Sequence, residues 1–397
     1  MSPVGGAAKL ERGDLQVLVS EALGTSVVVA RAERIEPWFV LRCHLAAGSA
    51  GGVVLGDREV ASGGSQRLPH GPASAAHRAG RAGVPGRAEP ARGTAPAGCR
   101  RRQTVLVLED LAPRVPLSDL LQRPEPNPAR AGLQLFARTL GLLAASTVGR
   151  KDAYYGRRRA LGPVEPAADR DLYGGAWGDS AAKWPDTSKH AEALGVAPSR
   201  MAEAEMAEVF GVLAEPGAFL AFSNGDAGAN NFLVDADDGR LIDFEFAGYR
   251  HAVIDAVSLY VPGPMWLTVG DPVADGLEDI YRRALAEGIP EAADDRMFGR
   301  GIVAACLAFA IERLSRFPRL DARPPGRDSR AQMVSTLESA ARAAEHHRSL
   351  PALAGWARAV AASLRRRWPD ADRDFSRLQR YSRRGHAEPK PGGANGE

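Results

Sequence analysis

A 48-residue segment near the amino terminus limits what this chain can fold into. Residues 56–103 contain ten Ala, nine Gly, nine Arg and five Pro, and their only large aliphatic side chains are Val60, Leu68 and Val84. Such a segment cannot bury enough apolar surface to offset the entropy lost on ordering it. It is either a disordered insertion or a stretch translated in the wrong frame, since GC-rich codons give these residues in any frame. We favour the frame error, and in both cases the segment interrupts the first folding unit.

The positive charge of the chain is concentrated in the same segment. Nine Arg and three acidic residues lie there, which gives the segment a net charge of +6, whereas the full 397 residues carry +3. The remaining residues are therefore slightly acidic in sum. This distribution disfavours a dedicated nucleic-acid-binding protein.

The cysteines and the apolar runs bear on the cellular compartment. Cys43, Cys99 and Cys306 are widely spaced and predict neither a disulfide framework nor a zinc site. Residues 1–14 lack the apolar core of a signal peptide, and the longest apolar run, residues 302–311, is about half of a membrane span. We therefore expect a cytoplasmic protein that is neither secreted nor inserted in a membrane.

The first 112 residues predict a small, mostly β unit. After a short helix, runs rich in Val, Leu and aromatic residues predict strands at 26–30, 38–45, 51–55 and 104–111. Turn-forming residues separate these runs. The unit is incomplete because residues 56–103 interrupt it.

Residues 113–377 predict a larger, helical unit. Leucine and other apolar residues recur at helical spacing after residue 130 and again at 302–314, as expected for core helices. The aromatic stretch 154–184 is interpreted as an irregular loop over a cleft. Residues 378–397, rich in Arg, Gly and Pro, are expected to form a disordered tail.

The most informative stretch is residues 221–255. Phe232–Val234 and Leu241–Phe244 are predicted to be short strands, joined by a polar turn that ends at Gly239. The two strands therefore form a hairpin.

Three oxygen-bearing side chains flank this hairpin. Asp226 and Asn231 precede its first strand, and Asp243 lies near the end of its second. Because a hairpin brings these ends together, we expect the three side chains at one mouth. Mixed amide and carboxylate oxygens suit Mg²⁺, and a further carboxylate can orient a hydroxyl, which phosphoryl transfer requires. The five-residue separation of Asp226 and Asn231 equals that of the protein-kinase catalytic loop.

The run Asn-Gly-Asp-x-x-x-x-Asn, followed by Leu-Ile-Asp-Phe-Glu and Gly-Tyr-Arg-His-Ala-x-x-Asp, resembles the aminoglycoside phosphotransferase and choline kinase branch of the protein-kinase-like fold. The resemblance covers roughly residues 104–370 and is specific over 221–255. It implies an α+β, two-lobed fold with a small β-rich N-lobe and a larger helical C-lobe.

The resemblance also implies roles for individual residues. Asp226 would be the catalytic base, Asn231 and Asp243 the Mg²⁺ ligands, and Asp255 a buried carboxylate that braces the catalytic loop. The backbone of three further residues would hold the adenine of ATP, and these are Glu109, Asp110 and Leu111.

Two departures from the family pattern are visible. Asn224 stands where the family usually has His, and we expect its amide to hydrogen-bond the loop backbone instead. More seriously, no Lys lies between residues 10 and 150, where the family places the Lys that clamps the phosphates.

The predicted function is therefore ATP-dependent transfer of the γ-phosphate to a hydroxyl of a small molecule. Nucleotide and a small-molecule acceptor are the expected partners, and neither nucleic acid nor membrane is. The alternative is a catalytically impaired pseudokinase or binding module, because the N-lobe lysine is absent.

The histidines receive no chemical role at this level. His251 is expected to serve packing and loop contacts. His346 and His347 could bind a metal, but neighbouring positions on a helix point in different directions, so a surface role is favoured.

Overall fold

The computed structural model describes nine stretches of the chain, namely residues 12–35, 40–46, 53–56, 106–123, 125–161, 180–244, 246–262, 271–325 and 328–371. The compositionally unusual segment 56–103 lies outside the described residues except for Gly56. The tail expected at 378–397 lies outside them as well.

The chain divides into two compact units. Unit 1 comprises Met1–Pro113 with Tyr154–Val164, and unit 2 comprises Arg114–Ala153 with Glu165–Glu397. The described part of unit 1 combines a sheet with helical residues in comparable numbers, whereas that of unit 2 is mostly helical. The α+β class expected from the sequence is thereby confirmed.

Unit 1 contains one amino-terminal helix and a four-stranded antiparallel sheet in the order β1-β2-β3-β4. Its elements are α1 (Arg12–Leu23), β1 (Val29–Ile35), β2 (Val40–Leu45), β3 (Val53–Gly56) and β4 (Leu106–Glu109). The helix expected ahead of the strands is confirmed.

The first strand of unit 1 lies later in the chain than predicted. It spans Val29–Ile35 rather than 26–30. Arg31 and Glu33 interrupt the apolar pattern on which the prediction rested. As alternate residues they share one face of the sheet, where Glu33 pairs with Arg42 of β2 at 3.3 Å. A half-polar strand therefore replaces the apolar one that was expected.

The core of unit 1 is small and lies between α1 and one face of the sheet. Leu15 and Val19 of α1 are buried together with Val27, Val29 and Cys43. Cys43 is thus part of the core, and its burial raises the pKa of the thiol. The sheet thus has one apolar and one charged face.

Unit 2 is built mainly from helices, with three short strand pairings: β5 with β7, β7 with β8, and β6 with β9. Its remaining elements, in chain order, are β5 (Val115–Pro116), α2 (Leu117–Leu120), α3 (Pro126–Thr147), α4 (Lys151–Leu161, assigned to unit 1 from Tyr154 onward), α5 (Ser180–Ala193), α6 (Arg200–Ala214), β6 (Leu220–Ser223), β7 (Phe232–Asp235), β8 (Asp238–Leu241), β9 (Gly248–His251), α7 (Val257–Tyr260), α8 (Leu277–Ala286), α9 (Asp295–Leu314), α10 (Phe317–Asp321), α11 (Asp328–His346) and α12 (Pro351–Arg367).

Helix α9 is the centre of unit 2. It is buried on nearly every side, and the apolar residues Ile302, Leu307 and Ile311 are at most 1% exposed. Helices α5, α6 and α11 pack around it. The apolar run that resembled half of a membrane span is therefore the core helix of this unit.

Helix α3 carries the other predicted apolar stripe, which is also confirmed as core. Leu133, Phe136 and Leu140 are buried, and the helix packs against α8. Gly141 permits this close approach, since a Cβ there would lie 2.6 Å from the backbone oxygen of Tyr281. Among the described residues no single helix is long and apolar enough to cross a membrane; α3 meets that test only jointly with Lys151–Ala160, across a bend of 83°.

The irregular loop predicted at 154–184 is wrong at both ends. Its first residues are helical in α4 and its last are helical in α5, while 162–179 lies outside the described residues. Of the aromatic residues that suggested a loop over a cleft, Tyr154 and Tyr155 are buried, while Tyr173 and Trp177 lie outside the described residues. The ring of Trp184 lies 5.1 Å from that of Trp356 in an edge-to-face contact.

Candidate active site

The hairpin predicted in unit 2 is present, but its second strand begins earlier than expected. The strand is β8 (Asp238–Leu241) rather than Leu241–Phe244. Gly239 lies inside it, paired with Val234, and does not end a turn. Packing explains why a glycine occupies this position in the strand, because a Cβ on Gly239 would lie 2.1 Å from the ring of Phe232. Glycine is needed here for the space it leaves.

The shift changes the position of Asp243. It lies two residues beyond the end of β8, in an exposed turn with φ of 54°. This left-handed conformation is uncommon for a residue with a side chain, although Asp tolerates it better than most. The carboxylate therefore projects from a tightly bent backbone.

Asp226 and Asn231 are brought together as predicted. The side-chain Nδ2 of Asn231 donates to the backbone oxygen of Asp226 at 2.9 Å and to its Oδ2 at 3.2 Å. Asn231 is buried, whereas Asp226 remains partly accessible. Asn230 donates from Nδ2 to the Oδ1 of Asn231 at 2.8 Å, which fixes the orientation of that amide.

Asn224 links this loop to the segment that carries Asp243. Its Nδ2 donates to the backbone oxygens of Ile242 at 3.1 Å and Asp243 at 3.5 Å. Its Oδ1 accepts the backbone N–H of Asp226 at 3.1 Å. The backbone N–H of Ile242 in turn donates to the oxygen of Asn231 at 2.9 Å. The expectation that Asn224 can bind the loop backbone is confirmed.

Asp255 supports the backbone of this loop, which is the role that the family resemblance implied. One of its oxygens accepts Ser223 Oγ at 2.7 Å and the backbone N–H of Gly225 at 3.0 Å. The other accepts the backbone N–H of Asn224 at 2.7 Å. Burial raises the pKa of Asp255, and these hydrogen bonds oppose that rise.

Gly225 makes the tight turn between Asn224 and Asp226 possible. Its φ is +81°, and a Cβ would lie 2.2 Å from the backbone oxygen of Phe246. Arg250, buried on β9, donates from Nη2 to that same oxygen at 2.7 Å. The turn is thus fitted closely against the strand that follows it.

His251 belongs to the support of the loop. It is buried, stacks on Phe219 with ring centroids 5.0 Å apart, and accepts the backbone N–H of Val253 at 3.5 Å. Burial lowers its pKa to about 3, so the ring is neutral near pH 7. The packing role expected for His251 agrees with these contacts.

The residues predicted to hold adenine lie in unit 1 at the end of β4. Among the described strands β4 is an edge strand, so its outer side presents backbone groups of the kind that could meet an adenine. Asp110 accepts the backbone N–H of Ala112 at 3.1 Å, and its Oδ2 lies 2.7 Å from Nε of Arg42. The Glu109 side chain is exposed, and Leu111 follows in partly buried surroundings.

Arg42 is a candidate that sequence reasoning missed, because only lysines were considered. It lies on β2 between two carboxylates, at 3.3 Å from Glu33 and 2.7 Å from Asp110. Its side chain is 30% exposed. The sequence does contain an indication of this role, since Arg42 occupies an outward position in a predicted strand and carries the positive charge that phosphate binding requires.

The oxygen atoms of unit 2 suit Mg²⁺. Asn231 presents an amide oxygen with one lone pair engaged by Asn230, and Asp243 presents an exposed carboxylate. A neutral and an anionic oxygen donor, with room for water and phosphate, match the preference of this ion.

A cleft of about 650 Å³ in unit 2 lies elsewhere. Its wall includes Arg138 of α3, Arg283 of α8 and Asp237 of the β7–β8 turn. None of the predicted site residues lines it. The cleft therefore does not identify the acceptor site.

Known proteins provide one informative match. A model of the phosphotransferase enzyme family matches residues 98–297, which include β4 and the whole loop from Asn224 to Asp255. None of the curated proteins compared matches the chain. A solved structure of a choline/ethanolamine kinase family protein from Mesorhizobium loti is 17% identical, covers 83% of this chain and 93% of its own, and gives a TM-score of 0.42.

Proposed function

Since the chain belongs to the phosphotransferase enzyme family, we propose that it transfers the γ-phosphate of ATP to a hydroxyl group of a small molecule. The observation that carries this proposal is the hydrogen-bonded loop that holds Asp226 beside Asn231 and next to the backbone of Asp243. Phosphoryl transfer needs positioning and charge neutralisation more than covalent chemistry; this loop would supply the positioning, and a bound Mg²⁺ the neutralisation.

Asp226 is the proposed base. Its carboxylate is partly accessible and receives a hydrogen bond from Asn231, which restricts its orientation. It would orient the acceptor hydroxyl and take its proton as the new oxygen–phosphorus bond forms and the bond from the γ-phosphorus to the departing ADP breaks. The neighbouring amide groups hold the carboxylate in place without neutralising it.

Asn231 and Asp243 would hold Mg²⁺ through their side-chain oxygens. When bound, this ion neutralises charge on the phosphate oxygens of the nucleotide. The bent backbone at Asp243 and the amide of Asn230 fix these oxygens in advance, so little rearrangement is needed on binding.

Arg42 is the proposed phosphate-binding cation of unit 1, in place of the missing lysine. A guanidinium has five N–H donors, so pairing with Glu33 and Asp110 leaves it able to contact a phosphate oxygen as well. The backbone of Glu109–Leu111 is the proposed contact for adenine. If Arg42 performs this task, the chain is an active enzyme rather than a pseudokinase.

The first test is nucleotide binding, measured as a thermal shift with ATP in the presence and absence of Mg²⁺. At about a hundred times its dissociation constant, ATP should stabilise the protein by roughly 2.7 kcal/mol. Asp243→Asn should abolish the Mg²⁺-dependent part of the shift. Asp235→Asn, an exposed carboxylate on β7, is the matched control and should retain it.

The second test is transfer of labelled γ-phosphate to a panel of small alcohols and aminoglycosides. Asp226→Asn should lower the rate by roughly a hundredfold or more while leaving the nucleotide shift intact. Arg42→Gln should lower it by a similar factor, whereas Arg31→Gln, on the same face of the sheet, should have little effect. A cooperatively melting protein without any nucleotide shift would instead support the pseudokinase alternative.

A further inference from the structure

Three potential metal ligands meet where the start of α8 approaches the end of α11. Glu278 lies in the first turn of α8, while His346 is the last residue of α11 and His347 follows it. One ligand atom from each residue lies within 4.8 Å of the other two. Nothing in the proposed phosphotransfer uses this cluster.

The surface role predicted for this histidine pair is confirmed for His346, which is exposed, and is wrong for His347. Adjacent helical residues were expected to diverge, with both histidines at the surface. The rings of His346 and His347 instead lie edge to face, 4.8 Å apart, at the end of α11. The His347 side chain is only 6% exposed, and its Nε2 lies 3.1 Å from Oε2 of Glu278. His346 remains exposed and leaves one side of the cluster open to solvent.

The carboxylate is supported by a second layer of contacts. Tyr260, the last residue of α7, donates its hydroxyl to Oε2 of Glu278 at 2.5 Å. A carboxylate oxygen has a second lone pair, so this bond leaves Oε2 able to face a cation. Ligands in metal sites are typically oriented by such hydrogen bonds.

Arg282 is a cation beside the cluster. Its Nη1 lies 3.7 Å from the other carboxylate oxygen of Glu278, Oε1, and its Nη2 lies 2.7 Å from Asp295. The guanidinium is also 4.7 Å from the ring centre of Phe298. Arg282 is therefore balanced by Asp295 and approaches the oxygen that faces away from His347.

We propose that Glu278, His346 and His347 form a binding site for a divalent transition-metal ion, with Zn²⁺ as the best match. Two imidazole nitrogens and one carboxylate oxygen are a typical ligand set for this ion, with water in the remaining position. The ion would replace the direct bond between His347 and Glu278. It would join the start of α8 to the end of α11, and through Tyr260 it would contact the short helix that follows Asp255.

The test uses the full chain after removal of bound metal with a chelator and desalting. Co²⁺, a spectroscopic substitute for Zn²⁺, is titrated while its visible absorption is recorded, and Zn²⁺ is then added in competition. One saturable site per chain is expected, with Zn²⁺ displacing Co²⁺. His346→Gln, an exposed change that should not disturb folding, should weaken binding at least tenfold.

Two further variants identify the site. His347→Gln should also weaken binding at least tenfold, and His44→Gln is the matched control. His44 is half-exposed and lies 3.3 Å from Glu33, and it belongs to unit 1, whereas the three proposed ligands belong to unit 2. Absence of saturable binding in the wild type would overturn the proposal. So would unchanged affinity in His346→Gln, or a loss of affinity in His44→Gln.

Discussion

Two carboxylates of this chain differ in their burial and in the groups that bind them. Asp255 in unit 2 is buried and accepts three hydrogen bonds, two of them from the backbone of the loop that carries Asp226. Glu33 in unit 1 lies on the charged face of a sheet and is shared by Arg31, Arg42 and His44. Hydrogen bonds from His44 and Arg42 hold the pKa of the Glu33 carboxyl below its usual range.

The difference explains how each region can contribute to function. A buried carboxylate cannot exchange its partners for water, so its bonds hold the loop in one conformation. An exposed ion pair gains little stability and can exchange one partner for another. The loop of unit 2 is therefore suited to fixed positioning, and under the proposed function the charged face of unit 1 would exchange a partner for a ligand phosphate.

The largest effect should come from Asp255→Ala. The change leaves the hydroxyl of Ser223 and the N–H groups of Asn224 and Gly225 without their acceptor in a buried place. We expect a loss of about 4 kcal/mol in the free energy of unfolding, measured by urea denaturation. Asp235→Ala, which removes an exposed carboxylate from the same unit, should change it little. If both variants lowered the free energy of unfolding equally, the buried carboxylate would matter no more for stability than the exposed one.

Gly225→Ala should have the next largest effect. A Cβ would overlap the backbone oxygen of Phe246 at 2.2 Å, and φ of +81° is unfavourable for alanine. We expect roughly 2 to 3 kcal/mol of destabilisation, with lower phosphotransfer, in parallel urea and activity measurements. Gly211→Ala, in helix α6 with open space around it, should be neutral or stabilising. Tolerance of alanine at position 225 would show that the turn is not closely fitted.

Acidification should destabilise the support of the loop through His251. Its folded-state pKa is about 3 against 6.5 in the unfolded chain, so below pH 6.5 the unfolded state binds more protons. The unfolding free energy should therefore fall as pH falls, by about 2 kcal/mol from this group at pH 5. His251→Asn keeps an acceptor for Val253 and should show a shallower pH dependence. Identical slopes in the two proteins would exclude His251 as the cause.

The smallest effect is expected from Arg31→Gln on the charged face of unit 1. Its partner Glu33 keeps Arg42 and His44 nearby, and the Arg31 side chain is 70% exposed. The urea midpoint should not change measurably, because exposed ion pairs are weak and screened. A clear destabilisation would mean that this face is as rigidly organised as the loop around Asp255.

Much of the site in unit 2 could be predicted from local sequence. The spacing of Asp226 and Asn231 and the apolar run of β7 are short-range features, and a hairpin needs only neighbouring residues. The bounds of β8 could not be predicted. Gly239 has the composition of a turn residue, but the Phe232 ring occupies the space beside it, which is a cross-strand contact.

In unit 1 the sequence also left the cation unidentified. The positions of the lysines do not point to Arg42, and only the pairing of strands brings Glu33 of β1 and Asp110, just after β4, next to it. The loop prediction for 154–184 is wrong for the same reason, because packing partners such as Trp356 lie far from that stretch in sequence.

By itself the sequence determined the α+β class, the core stripes of α3 and α9, and the residue types at the candidate active site, because periodicity and spacing are local properties. Only the tertiary structure decided which distant groups meet. Ser223 meets Asp255, Arg42 meets Asp110, and His347 meets Glu278. These pairings depend on how whole elements pack, and packing joins residues whose separation along the chain carries no signal of their contact.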